Sequence, residues 1–191
     1  EIMQWVRQLE GFNWGYDPFH FGVPEGSYST IPDGPTRIRE FRQMVKGLNE
    51  LGLRTAMDVV YNHTNRSGQD PKSVLDRIVP GYYHRRDITN GTVTSGTCCA
   101  DTATEFKMME KLMVDTGKMW VRDYKISSFR FDIMGAHPLD AMLRFRDAVQ
   151  AIEPSTYIYG EGWNCCGGED DIRFKSARQA NLGGTGIGSF N

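Results

Sequence analysis

The sequence predicts an α/β fold in which parallel strands are covered by helices. Three observations carry that prediction. Segments with helical periodicity alternate with short apolar runs, the pattern of strands joined by helical crossovers. The apolar runs are short and greasy enough to be buried strands rather than helices. Each run also ends in polar or ionisable residues, at the edge where parallel α/β folds gather their active sites.

Taken in order, Asp33-Gly34-Pro35-Thr36 reads as a turn that opens a helix carrying Ile38, Phe41, Met44, Val45 and Leu48. Gly52 is placed to stop it in a left-handed conformation. The run from Leu53 to Tyr61 reads as the first strand. From His63 to Thr104 there is little periodicity, so 64–103 is expected to be a long loop or small subdomain. A second helix is expected from Thr104, with Phe106, Met109, Leu112, Met113, Trp120 and Tyr124, and it leads into a strand from Ser128 to Ile133. Pro138 suits the first turn of a third helix, with Leu139, Met142, Leu143, Val149 and Ile152 on one side. A third strand runs from Thr156 to Glu161, and the glycine-rich stretch from Gly167 to Asn191 reads as a loop.

Composition limits what the chain can do. Its 191 residues are 39% hydrophobic and 24% charged, with a formal net charge of −2, which excludes a disordered or collagen-like chain. There is no basic field for nucleic acid or an anionic membrane, and no apolar run approaches the roughly 20 residues of a membrane span. The opening residues, EIMQWVRQLEG, lack the basic start and apolar core of a signal peptide. The four cysteines form two adjacent pairs, Cys98-Cys99 and Cys165-Cys166. Neighbouring cysteines do not give the chelate spacing of a zinc site, so no metal site is read here, and structural or free thiols are favoured over a catalytic role. Three disulfide connectivities remain open.

The polar residues of the strands carry the chemistry. Asp58 interrupts an apolar run, and Asn62 and His63 follow it. Arg130 and Asp132 share one strand face, while Phe129, Phe131 and Ile133 take the other. Glu161 shares a face with Tyr157 and Tyr159. Taken singly, each could be a cap, a salt bridge or a solvated strand end. Three successive strands ending in acids make a shared site the better reading, because a buried unpaired carboxylate costs several kcal/mol by order of magnitude. Two carboxylates on neighbouring strands with an arginine beside one suit glycoside hydrolysis. One must stay ionised against an oxocarbenium centre, and the other must bring a proton to the leaving oxygen. Trp14, Tyr16 and Trp163 offer flat faces on which sugar rings can stack.

The segments FNWGYDP, DVVYNH, FRFDIMGAHP and YGEGW occur in the order seen in the α-amylase family of glycoside hydrolases. FNWGYDPFHFGVPEGSYS, SVLDRIVPGYYHRR and GTGIGSFN extend the likeness over essentially the whole chain. They resemble the debranching branch, the pullulanases and limit dextrinases. The resemblance implies a partial (β/α)8 TIM barrel, from after strand 2 to just after strand 5, with Asp58, Asp132 and Glu161 at the ends of the third, fourth and fifth strands. It implies that Asp132 is the nucleophile, Glu161 the general acid/base and Arg130 the residue that orients the nucleophile. His63 matches a sugar-binding histidine, Tyr16 the aromatic platform beneath that sugar, Asp58 a supporting position, and Trp163 a stacking residue on the leaving-group side.

The implied reaction is retaining hydrolysis of α-1,6-glucosidic branch linkages in pullulan, amylopectin or limit dextrins. No organic cofactor is implied; calcium occurs in relatives, but no loop here resembles an EF-hand. The implied partners are a branched α-glucan and the remainder of the chain's own barrel, with no nucleic acid and no membrane. The compartment would be the plastid in a plant or alga and the exterior in a bacterium. The family's third acid is expected beyond Asn191, so the chain reads as an internal fragment, inactive and poorly folded alone, with the inner faces of Phe129, Phe131, Met57 and Val59 bared. The chain departs from the family pattern at Ser127-Ser128, Ala136 and Asn164. Two rival readings are a non-catalytic glucan-binding pseudoenzyme or truncated product, and an α-1,4-acting amylase.

Overall fold

The computed structural model describes residues 14–167 and 170–191. The opening segment read for a signal peptide, and the first two residues of FNWGYDP, lie outside them. Among the described residues, four helices, α1 (Thr36–Glu50), α2 (Leu75–Ile78), α3 (Lys107–Tyr124) and α4 (Leu139–Gln150), accompany six strands. The strands are β1 (Ala56–Val59), β2 (His63–Thr64), β3 (Ala100–Asp101), β4 (Ser128–Phe131), β5 (Tyr157–Gly160) and β6 (Gly188–Ser189). β1, β4, β5 and β6 pair in that order, all parallel, while β2 and β3 form a separate antiparallel pair. The predicted α/β class with parallel strands is therefore found. Among the described residues no helix is long and apolar enough to cross a membrane.

Local sequence explains the element ends. Gly52 has φ +77°, and the amides of Gly52 and Leu53 reach back to the carbonyls of Asn49 and Leu48, closing α1 in the paired fashion a left-handed glycine permits. α3 begins three residues later than expected, because Thr104 turns its hydroxyl to His137 Nδ1 at 2.9 Å and Phe106 is extended. Pro138 lies just before α4 rather than in its first turn; the first amide, Leu139 N–H, is satisfied by the Lys175 carbonyl at 2.8 Å. The glycine-rich tail is not all loop. Gly188 and Ser189 pair with Tyr159 and Gly160 as β6, a strand too short for alternation to reveal. A Cβ at Gly188 would overlap the Tyr157 hydroxyl, so a larger residue there would have to displace that half-exposed ring.

The two sheet faces are assigned the reverse way from expectation. Phe129 and Phe131 are fully buried and meet the Phe145 ring of α4 edge-on, at centroid distances of 5.2 and 4.9 Å. Val59 is buried as well. These residues face the chain's own helices, so the face left toward the site is the polar one, where Asp58 lies level with Arg130 and Arg130 with Tyr159. Burying each phenylalanine stabilises the fold by about 2–3 kcal/mol. α3 admits Phe145 at Gly117, where any Cβ would overlap the ring, and α1 joins this layer through Phe41 against Trp120 and Tyr124.

Between β1 and α3 the chain builds a small folded excursion around β2 and β3. Buried Asp76 accepts from the amides of Gly68 at 2.7 Å and Gly81 at 3.2 Å and faces His84 Nδ1 at 3.3 Å. Burial pushes this carboxyl up, but those donors outweigh it and hold it below its usual range. Arg85 fastens the excursion to the sheet. It pairs with Glu105 at 3.0 Å, donates to the Ala136 carbonyl at 2.9 Å and lies 4.8 Å over the Phe174 ring.

His137 should make the fold acid-sensitive. Burial, with Arg85 adding to it, pushes this imidazole down to about 3. The unfolded chain takes a proton near pH 6.5 and the folded chain does not until about 3, so stability is lost as pH falls through that window. At pH 4.5 the loss amounts to about 2–3 kcal/mol. Urea midpoints at pH 7 and 4.5 should show a smaller drop for His137→Gln than for the wild type; equal drops would remove His137 as the cause.

Candidate active site

The candidate site lies where β1, β4 and β5 end. Asp132 is one residue past β4, yet its amide still bonds the Val59 carbonyl at 3.0 Å; the Glu161 amide likewise bonds the Phe131 carbonyl at 3.0 Å. The ladder thus fixes both acids although neither lies within a strand. Arg130, only 15% exposed, stands between them. Its Nη1 lies 2.8 Å from Asp58 Oδ1 and 3.2 Å from Asp132 Oδ1, and its Nη2 lies 2.6 Å from Glu161 Oε1. Burial pulls the guanidinium's pKa down, but the hydrogen bond and charge of Asp58, with Glu161 and Asp132, more than offset this and raise it.

Each acid has further supports. Asn62 Nδ2 donates to the Asp132 carbonyl at 2.7 Å and to its carboxylate at 3.1 Å. Glu161 Oε2 accepts from the Ile133 amide at 3.0 Å. Ile133 reaches that position with φ 38° and ψ 53°, a left-handed conformation that costs a β-branched residue about 1–3 kcal/mol. Gly160 and Gly162 flank Glu161 where a Cβ would overlap, respectively, the Phe131 carbonyl, and the Gln179 amide and Ser189 hydroxyl. Backbone strain and close approach therefore concentrate around this one carboxylate.

The aromatic and imidazole residues are drawn in by different routes. Tyr16 donates its hydroxyl to Asp58, and Trp14 meets the Tyr16 ring edge-on at 6.2 Å. That hydrogen bond, with burial and the Asp58 charge adding to it, pushes the phenol up to about 12, so it stays protonated through the neutral range. His63 is buried at 2% exposure, with Nε2 2.8 Å from the Tyr16 carbonyl and Nδ1 2.5 Å from Asn62 Oδ1. It thus braces Tyr16 on one side and, through Asn62, Asp132 on the other. Trp163 reaches the cluster through Phe190, whose ring is 6.2 Å from it and 5.5 Å from the Arg130 guanidinium. Asn164, a departure from the family pattern, accepts from Arg178 at 2.6 Å.

Asp58, Arg130, Asp132, Glu161, Tyr16 and His63 are therefore brought together, with Trp163 one ring away. Asn62, Ile133 and Phe190 also contact this cluster, and their place in it was not assigned from sequence. The run DVVYNH held the signal for Asn62, since an amide beside a predicted site histidine is a natural carboxylate donor. Near the site, Asp17, His63, Cys98 and Cys99 also converge, with ligand atoms all within 4.8 Å of one another. Cys98 and Cys99 form a disulfide, and Cys165 and Cys166 are thiols with sulfurs 2.6 Å apart.

Three carboxylates against one guanidinium give a cleft that favours developing positive charge, and two of those acids, Asp132 and Glu161, have separate supports in Asn62 and the Ile133 amide. No family model matches the chain. It is 52% identical over 188 residues to a pullulanase of Klebsiella pneumoniae, covering 97% of this chain and 17% of that protein. It is 47% identical over 195 residues to the chloroplastic Pullulanase 1 of Arabidopsis thaliana, covering 97% of this chain and 20% of that one. In structure it is similar to a crystal structure of Klebsiella pneumoniae pullulanase complexed with maltotriose, with a TM-score of 0.90 at 48% identity, covering all of this chain and 18% of that one.

Proposed function

Because the chain belongs to the pullulanase-type, debranching branch of the α-amylase family of glycoside hydrolases, we propose that it carries the nucleophile and the acid/base for hydrolysis of α-1,6-glucosidic branch linkages. In this reading β1, β4, β5 and β6 are the third to sixth strands of a (β/α)8 barrel. One observation carries the proposal: Asp132 and Glu161 stand on the two arms of a single guanidinium at the carboxyl ends of neighbouring strands.

The reaction proceeds in two displacements. Asp132 Oδ attacks the anomeric carbon while Glu161 gives its proton to the departing glycosidic oxygen, so a glycosyl ester forms and the C–O bond to the leaving chain breaks. Glu161, now ionised, takes a proton from water; the hydroxide attacks the same carbon, and Asp132 leaves with net retention. Arg130 holds Asp132 and Glu161 at fixed spacing, while Asn62 orients the Asp132 oxygen that does not bond Arg130. Tyr16 forms the platform under the sugar being cleaved, with Asp58 and His63 setting its place, and Trp163 stacks on the leaving-group side.

The full-length protein should release maltotriose and new reducing ends from pullulan. Faster cleavage of amylose than of pullulan would replace the α-1,6 assignment with an α-1,4 one. Calorimetric binding of a branched dextrin with no reducing ends would leave only a glucan-binding protein.

A further inference from the structure

Beside the carboxylate–arginine cluster, three distant segments of chain bring hard, borderline and soft metal ligands together: Asp17, His63, and the Cys98-Cys99 pair. Asp17 Oδ1 lies 3.6 Å from His63 Nε2 and 3.6 Å from Cys99 Sγ. A tetrahedral zinc ion with bonds of about 2.0–2.3 Å sets ligand-to-ligand edges of roughly 3.3–3.8 Å. Both edges already have that length. The ligands are also held in place. His63 is buried, Asn65 donates to the other Asp17 oxygen at 3.2 Å, and Asp101 accepts from the amides of Gly96 and Thr97, which pins the loop carrying the cysteines. Such outer hydrogen bonds orient the ligands of metal sites.

We propose that Asp17, His63, Cys99 and Cys98 form a zinc-type site at the mouth of the cleft, which accepts metal once the Cys98–Cys99 bond is reduced. The donor set of carboxylate, imidazole and thiolate selects zinc over calcium or magnesium, which take oxygen ligands. A disulfide sulfur is a poor ligand, so a dithiol reductant acts first. The S–S bond breaks, two thiols form, and the dithiol is oxidised to its own disulfide. Zinc then displaces the thiol protons to solvent, and His63 Nε2 exchanges its bond to the Tyr16 carbonyl for the metal. Tyr16 loses its brace, so the loaded protein is less active than the metal-free one. Adjacent cysteines lack chelate spacing along the chain; here the fold supplies the other ligands.

The metal site does not depend on which linkage the protein cleaves, and binding can be read without any assay of activity. The full-length protein, reduced with a phosphine that does not compete for zinc, is titrated with Zn²⁺ by calorimetry and with Co²⁺ by absorption. One zinc per chain is expected, at least a hundredfold tighter than in the oxidised protein, with a thiolate-to-cobalt charge-transfer band. Cys98→Ser/Cys99→Ser, which removes both thiolates, should abolish the band and weaken zinc binding at least a hundredfold, and Asp17→Asn, which removes the carboxylate ligand, should weaken it at least tenfold. Cys165→Ser/Cys166→Ser should leave both readouts unchanged. Equal binding before and after reduction, no binding, or a band that survives Cys98→Ser/Cys99→Ser and disappears with the Cys165/Cys166 double variant would each overturn the proposal.

Discussion

Asp132→Asn should lower the turnover of pullulan by about 10⁴-fold, equivalent to roughly 5–6 kcal/mol of transition-state stabilisation, while changing affinity for the glucan little. The amide has nearly the shape of the carboxylate but cannot form the glycosyl ester. Asn62 and Arg130 both donate toward the Asp132 side chain, so the replacement also turns at least one amide hydrogen toward a donor. The loss should therefore fall on kcat. Azide supplies the test that separates chemistry from misfolding: as a small anionic nucleophile it can enter where the carboxylate stood and give a glycosyl azide of inverted configuration. Full activity in the variant would sink the nucleophile assignment. Lost activity with a collapsed melting curve and no azide product would show only that the side chain is structural.

Arg130→Lys should cost about 10²–10⁴-fold in kcat and roughly 3 kcal/mol in stability. Arginine spans its partners with two nitrogens, Nη1 toward Asp58 and Asp132 and Nη2 toward Glu161, while its flat face covers Phe190. An ammonium is a point charge and can serve one or two of these carboxylates, not all three, and it has no plane to lay on the ring. The variant thus leaves like charges facing one another in a part-buried cleft. Kinetics on pullulan and a thermal melt, run together, check both expectations. A variant with wild-type kcat and melting temperature would show that the three carboxylates do not depend on the fork.

The sequence read most clearly where a physical pattern repeats over many residues. The helices carrying Phe41, Trp120 and Phe145 followed helical spacing, and the acids Asp58, Asp132 and Glu161 stood out because charge is expensive in an apolar run. Alternation also grouped Arg130 with Asp132 and Phe129 with Phe131 correctly. It could not say which group faces the helices, because a period of two is symmetric; only the packing of Phe145 decides that. Phe190 was hidden by a strand of two residues among glycines. Nothing in the identity of Ile133 announces a left-handed backbone, which is imposed by the need to aim its amide at Glu161. Asp17 and Cys99 are 82 residues apart, and neither carries a pattern that points to the other.

The folded excursion between β1 and α3 also bears on the order in which the site assembles. Bringing Asp58 to Arg130 closes 72 residues of chain, whereas bringing Ile133 to Glu161 closes 28. For flexible chains that difference is worth only about 0.8 kcal/mol of loop-closure entropy, but it favours the unit of β4, α4 and β5. Asp132 and Glu161 therefore meet within one local crossover. Asp58 joins them across the longer loop, although β1 is the first of the three strands to leave the ribosome.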